Sequence, residues 1–195
     1  MAKAGAPPKF KEAHVNWVFW KIANNQPMGR KMLVTKTNLG EGSLRTILRR
    51  LEEYGLVRSA RSGRMLTEHG LKVIRKLNGM IRVERVGRLE MTKKINNCIV
   101  MIKDMAGKVK SGMEQRDEAI KAGRSGVTTL VVREGRLIMP GFDESLVVDE
   151  IYPDDAQKIK SLLRPDDESV IIIGSEDNPQ MAEEAAWVAA STLLN

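Results

Sequence analysis

Four large apolar residues between positions 44 and 51 most constrain how this chain folds. They stand at positions i, i+3, i+4 and i+7, the spacing that places side chains on one face of an α-helix. These residues are Leu44, Ile47, Leu48 and Leu51. The pattern predicts a helix over about residues 41–54, which Gly55 ends. Because this apolar face must be buried, the opposite face, which carries Arg45 and Arg49, is left for solvent or a partner.

A helix over about residues 10–25 is predicted to precede it, because apolar residues recur there at helical spacing. One apolar face consists of Val15, Val18, Phe19 and Ile22. A second stripe consists of Ala13, Trp17 and Trp20. This stripe either joins a large shared core or packs against the other domain or a second subunit. A short helix over about residues 29–36 and a tight turn at residues 38–40 follow.

Residues 56–66 predict a two-stranded hairpin with a basic tip, since residues 56–61 and 64–66 flank a Ser62-Gly63 turn. Thr67 is the expected N-cap of a fourth helix. The inner side of that helix is predicted to consist of Leu71, Ile74, Leu77 and Ile81.

Charge is distributed unevenly along the chain. Residues 1–95 contain 21 Lys and Arg against 7 Asp and Glu, a net charge of +14. Residues 96–195 contain 11 against 18, a net charge of −7. A basic module suits a polyanion, because each phosphate that it neutralises releases counterions. The asymmetry therefore predicts two modules with different partners. Residues 1–9 are expected to form a flexible leader or, alternatively, a basic arm that touches DNA.

The order helix, helix, turn, helix, basic hairpin, helix resembles a winged helix-turn-helix domain. The stretch 39–57 (LGEGSLRTILRRLEEYGLV) resembles the recognition helix and first wing strand of prokaryotic winged-helix regulators. Residues 66–70 (LTEHG) resemble the segment with which such proteins leave the wing. The resemblance covers about residues 10–82 and implies a DNA-binding domain, with double-stranded DNA as the partner.

A helix of this kind fits the DNA major groove, and its N-terminal half usually reaches the base edges. Residues expected to face the groove are Ser43, Arg45, Thr46 and Arg49, flanked by Arg50. Residues expected to contact phosphates from the second helix and turn are Arg30, Lys31 and Lys36. Residues expected to reach phosphates or the minor groove from the wing are Arg58, Arg61 and Arg64.

Beyond a linker predicted over residues 83–97, the chain alternates strands and helices over residues 98–195. Strands are predicted near 98–103, 127–133, 136–139 and 169–173, and helices near 113–122, 154–163 and 179–194. The order β-α-β-β-α-β-α suits a two-layer α+β domain of ferredoxin-like or related type. The fold class expected for the whole chain is therefore α+β, with two domains.

Residues 110–123 (KSGMEQRDEAIKAG), 126–131 (GVTTLV) and 139–141 (MPG) resemble the C-terminal domain of archaeal two-domain winged-helix proteins, a domain of unknown function. A helix that begins near Gly112 offers backbone N–H groups to an anionic effector. The residues of this hypothetical effector site are Gly112, Glu114, Gln115, Arg116, Asp117 and Arg124. The alternative is that these acidic residues simply complement the helix dipole and pair with nearby arginines.

Nothing in the sequence predicts an enzyme, a cofactor or a metal site. There is no phosphate-binding glycine motif. The only histidines, His14 and His69, stand away from any cluster of metal-ligand residues, and Cys98 begins an apolar strand. No apolar run reaches 18 residues, and a single cysteine fits a reducing compartment, so a cytoplasmic protein is expected.

The predicted function is a transcription regulator that binds duplex DNA through residues 10–82. Residues 98–195 are expected to serve dimerisation, effector binding or both, with an effector of unknown identity. We expect a homodimer, in which the second stripe of the first helix or the long fourth helix forms contacts. The alternative is an adaptor that binds RNA or protein through the same winged helix.

Overall fold

The computed structural model describes residues 10–141 and 144–194 of the chain. The chain divides between Arg75 and Lys76 into two compact units. The first unit is helical apart from one hairpin, and the second is built on an antiparallel sheet, so the predicted α+β class is confirmed. The predicted leader at residues 1–9 lies outside the described residues. Within the described residues, no helix is long and apolar enough to cross a membrane.

The first unit opens with helices α1 (Glu12–Asn25), α2 (Arg30–Thr37) and α3 (Glu41–Glu53). Their ends agree with the predicted helices to within the usual uncertainty of helix boundaries. Both apolar stripes of α1 are largely buried, since Trp17 is fully covered and Ala13 is 3% exposed. Of the two alternatives for this stripe, the shared core therefore applies to these two residues, because the single chain already buries them.

The hairpin consists of strands β1 (Val57–Ala60) and β2 (Gly63–Leu66), which pair antiparallel as predicted. Helix α4 (Glu68–Met80) follows directly. The predicted cap at Thr67 is confirmed, because its Oγ1 accepts a hydrogen bond of 3.0 Å from the backbone N–H of Gly70.

The connection between α1 and α2 pairs with the hairpin, which the sequence did not predict. Met28 and Arg64 exchange backbone N–H···O hydrogen bonds of 3.0 and 2.7 Å. The side-chain Oε1 of Gln26 also accepts a 2.8 Å hydrogen bond from the N–H of Leu66. The close approach of these two backbone segments requires glycine at position 63, where φ is +136° and an added Cβ would lie 2.6 Å from the carbonyl carbon of Met28. The hairpin is thus fastened to the α1–α2 connection.

Six strands in the described part of the second unit form one antiparallel sheet. In spatial order they are β3 (Ile81–Val86), β4 (Asn96–Ile102), β8 (Val170–Glu176), β5 (Val127–Arg133), β6 (Arg136–Met139) and β7 (Leu146–Val147). Every neighbouring pair is antiparallel, so the domain belongs to the related α+β arrangements that the sequence analysis allowed.

Helices cover both faces of this sheet, because side chains alternate between the faces along each strand. On one face, Ile99 and Ile171 pack in a cluster with Ile159 of α7 (Pro153–Leu163) and Val148 of α6 (Val148–Ile151).

The other face lies against α8 (Pro179–Leu194), whose backbone comes so close to Gly174 that an added Cβ would lie 2.0 Å from the carbonyl oxygen of Ala182. Helix α5 (Met113–Lys121) packs beside α8. The domain therefore has one helical layer more than the two predicted layers. The continuously apolar strands, typical of sheets covered on both faces, were the signal for it.

The predicted linker over residues 83–97 is wrong at both ends. Residues 83–86 belong to β3, which pairs along its length with β4, and residues 96–97 already belong to β4. Ile81 opens β3 and so does not lie on the helix to which it was assigned. The charged residues of β3 suggested a linker, but charges are common on a strand at the edge of a sheet. Residues 87–95 form the actual connecting loop.

Candidate nucleic-acid interface

Helix α3 has one completely buried face, as its apolar spacing predicts. The members of that face, Leu44, Ile47, Leu48 and Leu51, are each at most 1% exposed. Arg45 and Arg49 lie on the solvent side, and the side chain of Arg49 is 70% exposed. Burial of the leucine face stabilises the helix and fixes which side remains available to a partner.

Most of the basic residues assigned to DNA contact are exposed. The exposed set is Arg30, Lys31, Lys36, Arg45, Arg49, Arg58 and Arg61. Ser43 and Thr46 are half-buried, and the hydroxyl of Thr46 donates a 3.2 Å hydrogen bond to the carbonyl of Gly42. Arg49 Nε lies 3.7 Å from Glu53 Oε1, a loose surface ion pair of the kind that contributes little to stability.

The other two predicted DNA contacts, Arg50 and Arg64, are engaged inside the first unit. Arg50 Nη1 donates to Glu12 Oε2 at 3.1 Å, and its guanidinium lies 5.3 Å from the ring centre of Phe10. Arg64 Nε lies 2.8 Å from Glu52 Oε1, and its side chain is only 20% exposed. Both arginines therefore stabilise the domain, a role that the charge pattern alone did not distinguish from DNA contact.

The hairpin is held at its base as well as along β2. The hydroxyl of Thr67 donates to the carbonyl of Gly55, and the N–H of Thr67 donates to the carbonyl of Leu56 at 3.1 Å. A Cβ at Gly70 would lie 2.0 Å from that same carbonyl oxygen, so α4 and the start of the hairpin pack backbone to backbone. Arg61, beside the turn, consequently projects from a fixed hairpin.

The first unit is strongly basic. Residues 10–75 contain 13 Lys and Arg against five Asp and Glu, a net charge of +8. This is less than the +14 of residues 1–95, because part of that surplus belongs to the second unit. A surplus of this sign still favours a polyanionic partner.

The second unit contains an open cavity of about 380 Å³ where β8 ends and β5 begins. Its lining includes Thr92, Lys93, Lys94, Arg116, Thr128 and Ser175. Both lysines and Thr92 belong to the loop at 87–95. The arginine belongs to α5, and Thr128 and Ser175 belong to the sheet.

A family model described as "Domain of unknown function (DUF4443)" matches residues 94–193, more than half of the chain. The chain belongs to the DUF4443 family. A second model, "PH0730-like, N-terminal domain", matches residues 22–72. The solved structure of the hypothetical protein PH0730 from Pyrococcus horikoshii OT3 is similar to this chain, with 29% sequence identity and a TM-score of 0.74. The similarity covers 94% of this chain and 92% of that one.

No curated protein matches the chain. These matches support the resemblance to archaeal two-domain proteins with a C-terminal domain of unknown function. They support both the division of the chain into two domains and the resemblance of the second domain.

The DUF4443 domain uses two of the six predicted effector residues for its own packing. Arg124 donates to Glu184 Oε2 through Nε at 3.0 Å and through Nη2 at 2.8 Å, and both side chains are largely buried. Gln115 is 1% exposed and donates a 2.8 Å hydrogen bond to the hydroxyl of Thr192. Both side chains are therefore engaged in contacts within the domain.

Of the remaining predicted effector residues, the structure brings only Arg116 to the cavity. Glu114 and Asp117 are exposed on α5, and Gly112 caps this helix with a φ of +74°.

Sequence analysis missed Lys93, Lys94, Thr128 and Ser175 as lining residues of this cavity. The two lysines were placed in a linker, and the predicted last strand ended at residue 173. The sequence signal that could have indicated Ser175 was its position directly after Gly174, at the end of an otherwise apolar strand.

Proposed function

We propose that the first unit is a winged helix-turn-helix domain that binds duplex DNA, with α3 in the major groove and the β1–β2 hairpin as the wing. The observation that carries the proposal is the orientation of α3, whose leucine face is buried and whose arginine face is exposed. The net charge of +8 and the hairpin fastened beside the helices support it. The chain then acts as a transcription regulator.

Within this proposal the residues assigned to DNA contact divide by function. Ser43, Arg45, Thr46 and Arg49 face the groove, where arginine can bond to a guanine edge in bidentate fashion. Arg30, Lys31 and Lys36 contact phosphates from α2, and Arg58 and Arg61 contact the DNA from the wing. Arg50 and Arg64 contribute by fixing the domain, because their guanidinium groups are paired with glutamates.

Salt dependence tests the DNA proposal directly. Five phosphate contacts, from Arg30, Lys31, Lys36, Arg58 and Arg61, predict a log–log slope of about −4.5 for one chain on B-DNA. Affinity should then fall about 500-fold between 50 and 200 mM salt, as measured by fluorescence anisotropy with duplexes selected from a random pool. Tighter binding to structured RNA, or no salt-dependent binding to duplex DNA, would contradict the proposal.

Two variants separate base reading from phosphate contact. Arg49→Ala should relax base preference at one position of the selected site, at a cost of roughly 1–3 kcal/mol. Lys36→Ala should weaken binding equally to all duplexes and reduce the slope by about 0.9. Lys72→Ala, which removes an exposed lysine of α4 outside the proposed contact set, is the charge-matched control and should change neither.

We further propose that the chain binds DNA as a homodimer, since two recognition helices one helical turn apart read a palindrome. Leu71 of α4 is 37% exposed and remains a candidate contact, whereas Trp17 of α1 is buried and is not. Sedimentation of the full chain at high concentration tests this part, and a strict monomer with and without DNA would refute it.

We also propose that the chain works by binding, not by catalysis. Cys98 and His14 have structural positions, whereas His69 is an exposed residue of α4. Cys98 is buried in β4. His14 is 4% exposed, and its Nδ1 accepts a 2.9 Å hydrogen bond from the N–H of Lys11 at the start of α1. A turnover linked to the full chain, and abolished by a single substitution in the DUF4443 domain, would overturn this view.

A further inference from the structure

The cavity of the DUF4443 domain has the dimensions of a small-molecule site. Its volume of about 380 Å³ falls in the range usual for pockets that hold metabolite-sized ligands. The floor is formed by the sheet, with Thr128 of β5 and Ser175 of β8 on the same face as the apolar cluster. The rim is formed by the loop at 87–95 and by α5.

The floor contains a buried hydroxyl group with an unfilled hydrogen-bonding capacity. Ser175 is 5% exposed and lines the cavity. Among the described residues its Oγ has no hydrogen-bond partner. Buried hydroxyl groups are nearly always hydrogen-bonded, because leaving one unsatisfied costs free energy. A polar atom of a molecule within the cavity would satisfy it.

The rim is basic although the second unit as a whole is acidic. Lys93, Lys94 and Arg116 line the cavity, whereas residues 76–194 contain 17 Lys and Arg against 20 Asp and Glu, a net charge of −3. Within residues 10–141 and 144–194, neither Lys93 nor Arg116 forms an ion pair. Lys94 Nζ lies 2.6 Å from Asp177 Oδ1, and this hydrogen bond and the charge of Asp177 raise the pKa of Lys94. Its ammonium group therefore stays protonated at neutral pH.

The loop that carries these lysines is fixed before any ligand binds. The backbone N–H of Met91 donates a 2.8 Å hydrogen bond to Asp155 Oδ2, and Asp155 is itself buried. The hydroxyl of Thr92 lies 2.9 Å from Oδ1 of the buried Asn97 and donates to it. Such anchoring lowers the entropy cost of binding, because the rim is already ordered.

Glu176, a buried residue directly after Ser175, already has its own hydrogen-bond partners. Glu176 Oε1 accepts hydrogen bonds of 2.9 Å from the N–H of Ser125 and 3.3 Å from the N–H of Gly126. Its side chain lies on the sheet face opposite to that of Ser175, since adjacent residues of a strand alternate. Its charge also helps to raise the pKa of Lys94, which keeps that ammonium group of the rim protonated.

We propose that this cavity binds a small organic anion, whose carboxylate or phosphate group is held by Lys93 and Arg116 while the hydroxyl of Ser175 bonds to a second polar atom of the molecule. Both anionic groups suit charge-assisted hydrogen bonds from arginine and lysine. The site belongs to the second unit alone, so it stands whether or not the first unit binds DNA.

Calorimetric titration of the full chain with matched compounds tests the proposal. The probes are AMP against adenosine, glucose 6-phosphate against glucose, and succinate against succinamide. We expect saturable binding of at least one anion and at least tenfold weaker binding of its uncharged counterpart. Preference for a phosphate or for a carboxylate identifies which of the two groups the site takes. No saturable binding of any of the three anions, or equal binding of anion and counterpart, would overturn the proposal.

Variants locate the binding in the cavity. Arg116→Gln and Lys93→Gln should each weaken the anion that binds at least tenfold, and Ser175→Ala should weaken it roughly threefold to tenfold. Lys121→Gln, which removes an exposed lysine of α5 outside the cavity, should have no effect. Circular dichroism must show each variant folded as the wild type. Unchanged affinity in both Arg116→Gln and Lys93→Gln would place the ligand elsewhere and refute the assignment.

Discussion

At Gly174 the backbone of helix α8 lies so close to the central strand β8 that there is no room for a Cβ, which makes this position a direct test of the fold. In a Gly174→Ala variant the added Cβ would lie 2.0 Å from the carbonyl oxygen of Ala182 and 2.6 Å from the nitrogen of Ala186. Both contacts are to helix backbone, so no side-chain rotation relieves them. Helix α8 must withdraw from the sheet by about 1 Å or more.

That withdrawal loosens a face built from small residues. Ala182, Ala185, Ala186 and Ala189 are all fully buried against the sheet side of α8. A gap of about 1 Å forfeits a quarter to a half of each dispersion contact across it. Overpacking usually costs about 1–3 kcal/mol, and we expect the upper end of that range because the strand is central and the helix is rigid.

Urea unfolding of the full chain, followed by hydrogen exchange, measures this effect. With a denaturant dependence of about 2 kcal/mol per M, the midpoint of the second unit should fall by about 1.5 M. Amides of α8 should exchange faster, while those of the first unit should be unchanged. Gly79→Ala is the control, because nothing lies within 4 Å of a Cβ there and helix propensity should make it neutral or slightly stabilising. A Gly174→Ala midpoint equal to that of the wild type would refute the close packing of α8 on β8.

Three further predictions concern individual contacts. Arg124→Met should destabilise the second unit by about 1.5–3 kcal/mol, because it removes the two hydrogen bonds that the guanidinium group donates to the buried carboxylate of Glu184. The double variant with Glu184→Leu should recover most of that loss in urea unfolding. Partial burial raises the pKa of Asp149, but the hydrogen bond from Lys160 and that from a backbone N–H outweigh it and leave the pKa lowered. The charge of Asp149 thus stabilises the fold above about pH 4, and this stabilisation is lost as the pH falls through the lowered pKa. The difference in urea midpoint between the wild type and Asp149→Asn should therefore shrink over the same pH range. Thr67→Ala should cost about 1 kcal/mol in thermal or urea unfolding, through loss of the α4 cap.

Local patterns were sufficient to predict the first unit. The spacing of Leu44, Ile47, Leu48 and Leu51 fixed both the extent of α3 and its buried face. The pairing of Met28 with Arg64 could not be predicted, because it joins residues 36 positions apart through backbone groups alone. The ion pairs of Arg50 and Arg64 were missed for a similar reason, since a charge pattern does not reveal which acid a long side chain reaches.

The cavity of the second unit depends entirely on long-range arrangement. Lys93 and Ser175 are separated by 82 positions and meet because β8 pairs with β4, directly after the loop that carries the lysine. A helix N-terminus was the more visible sequence signal, and it directed the effector hypothesis to Gly112 and its neighbours. Of those residues only Arg116 extends to the cavity, because α5 lies on the opposite face of the sheet from the apolar cluster.

The distribution of basic residues between the two units bears on how the salt dependence of the proposed DNA binding is interpreted. Of the +14 of residues 1–95, residues 1–9 hold +2, residues 10–75 hold +8, and residues 76–95 hold +4, with six Lys and Arg against two Asp and Glu. Part of the latter group is engaged in the second unit, since Arg85 Nη2 bonds to the buried Glu183 at 3.0 Å and Arg82 Nη1 donates to the carbonyl of Leu163 at 2.7 Å. In the proposed complex the five phosphate contacts all come from the first unit, so a slope near −4.5 corresponds to one chain and a slope near −9 corresponds to two. The salt dependence thus counts the chains on the DNA, and a slope far beyond −9 would refute the proposed set of five phosphate contacts per chain.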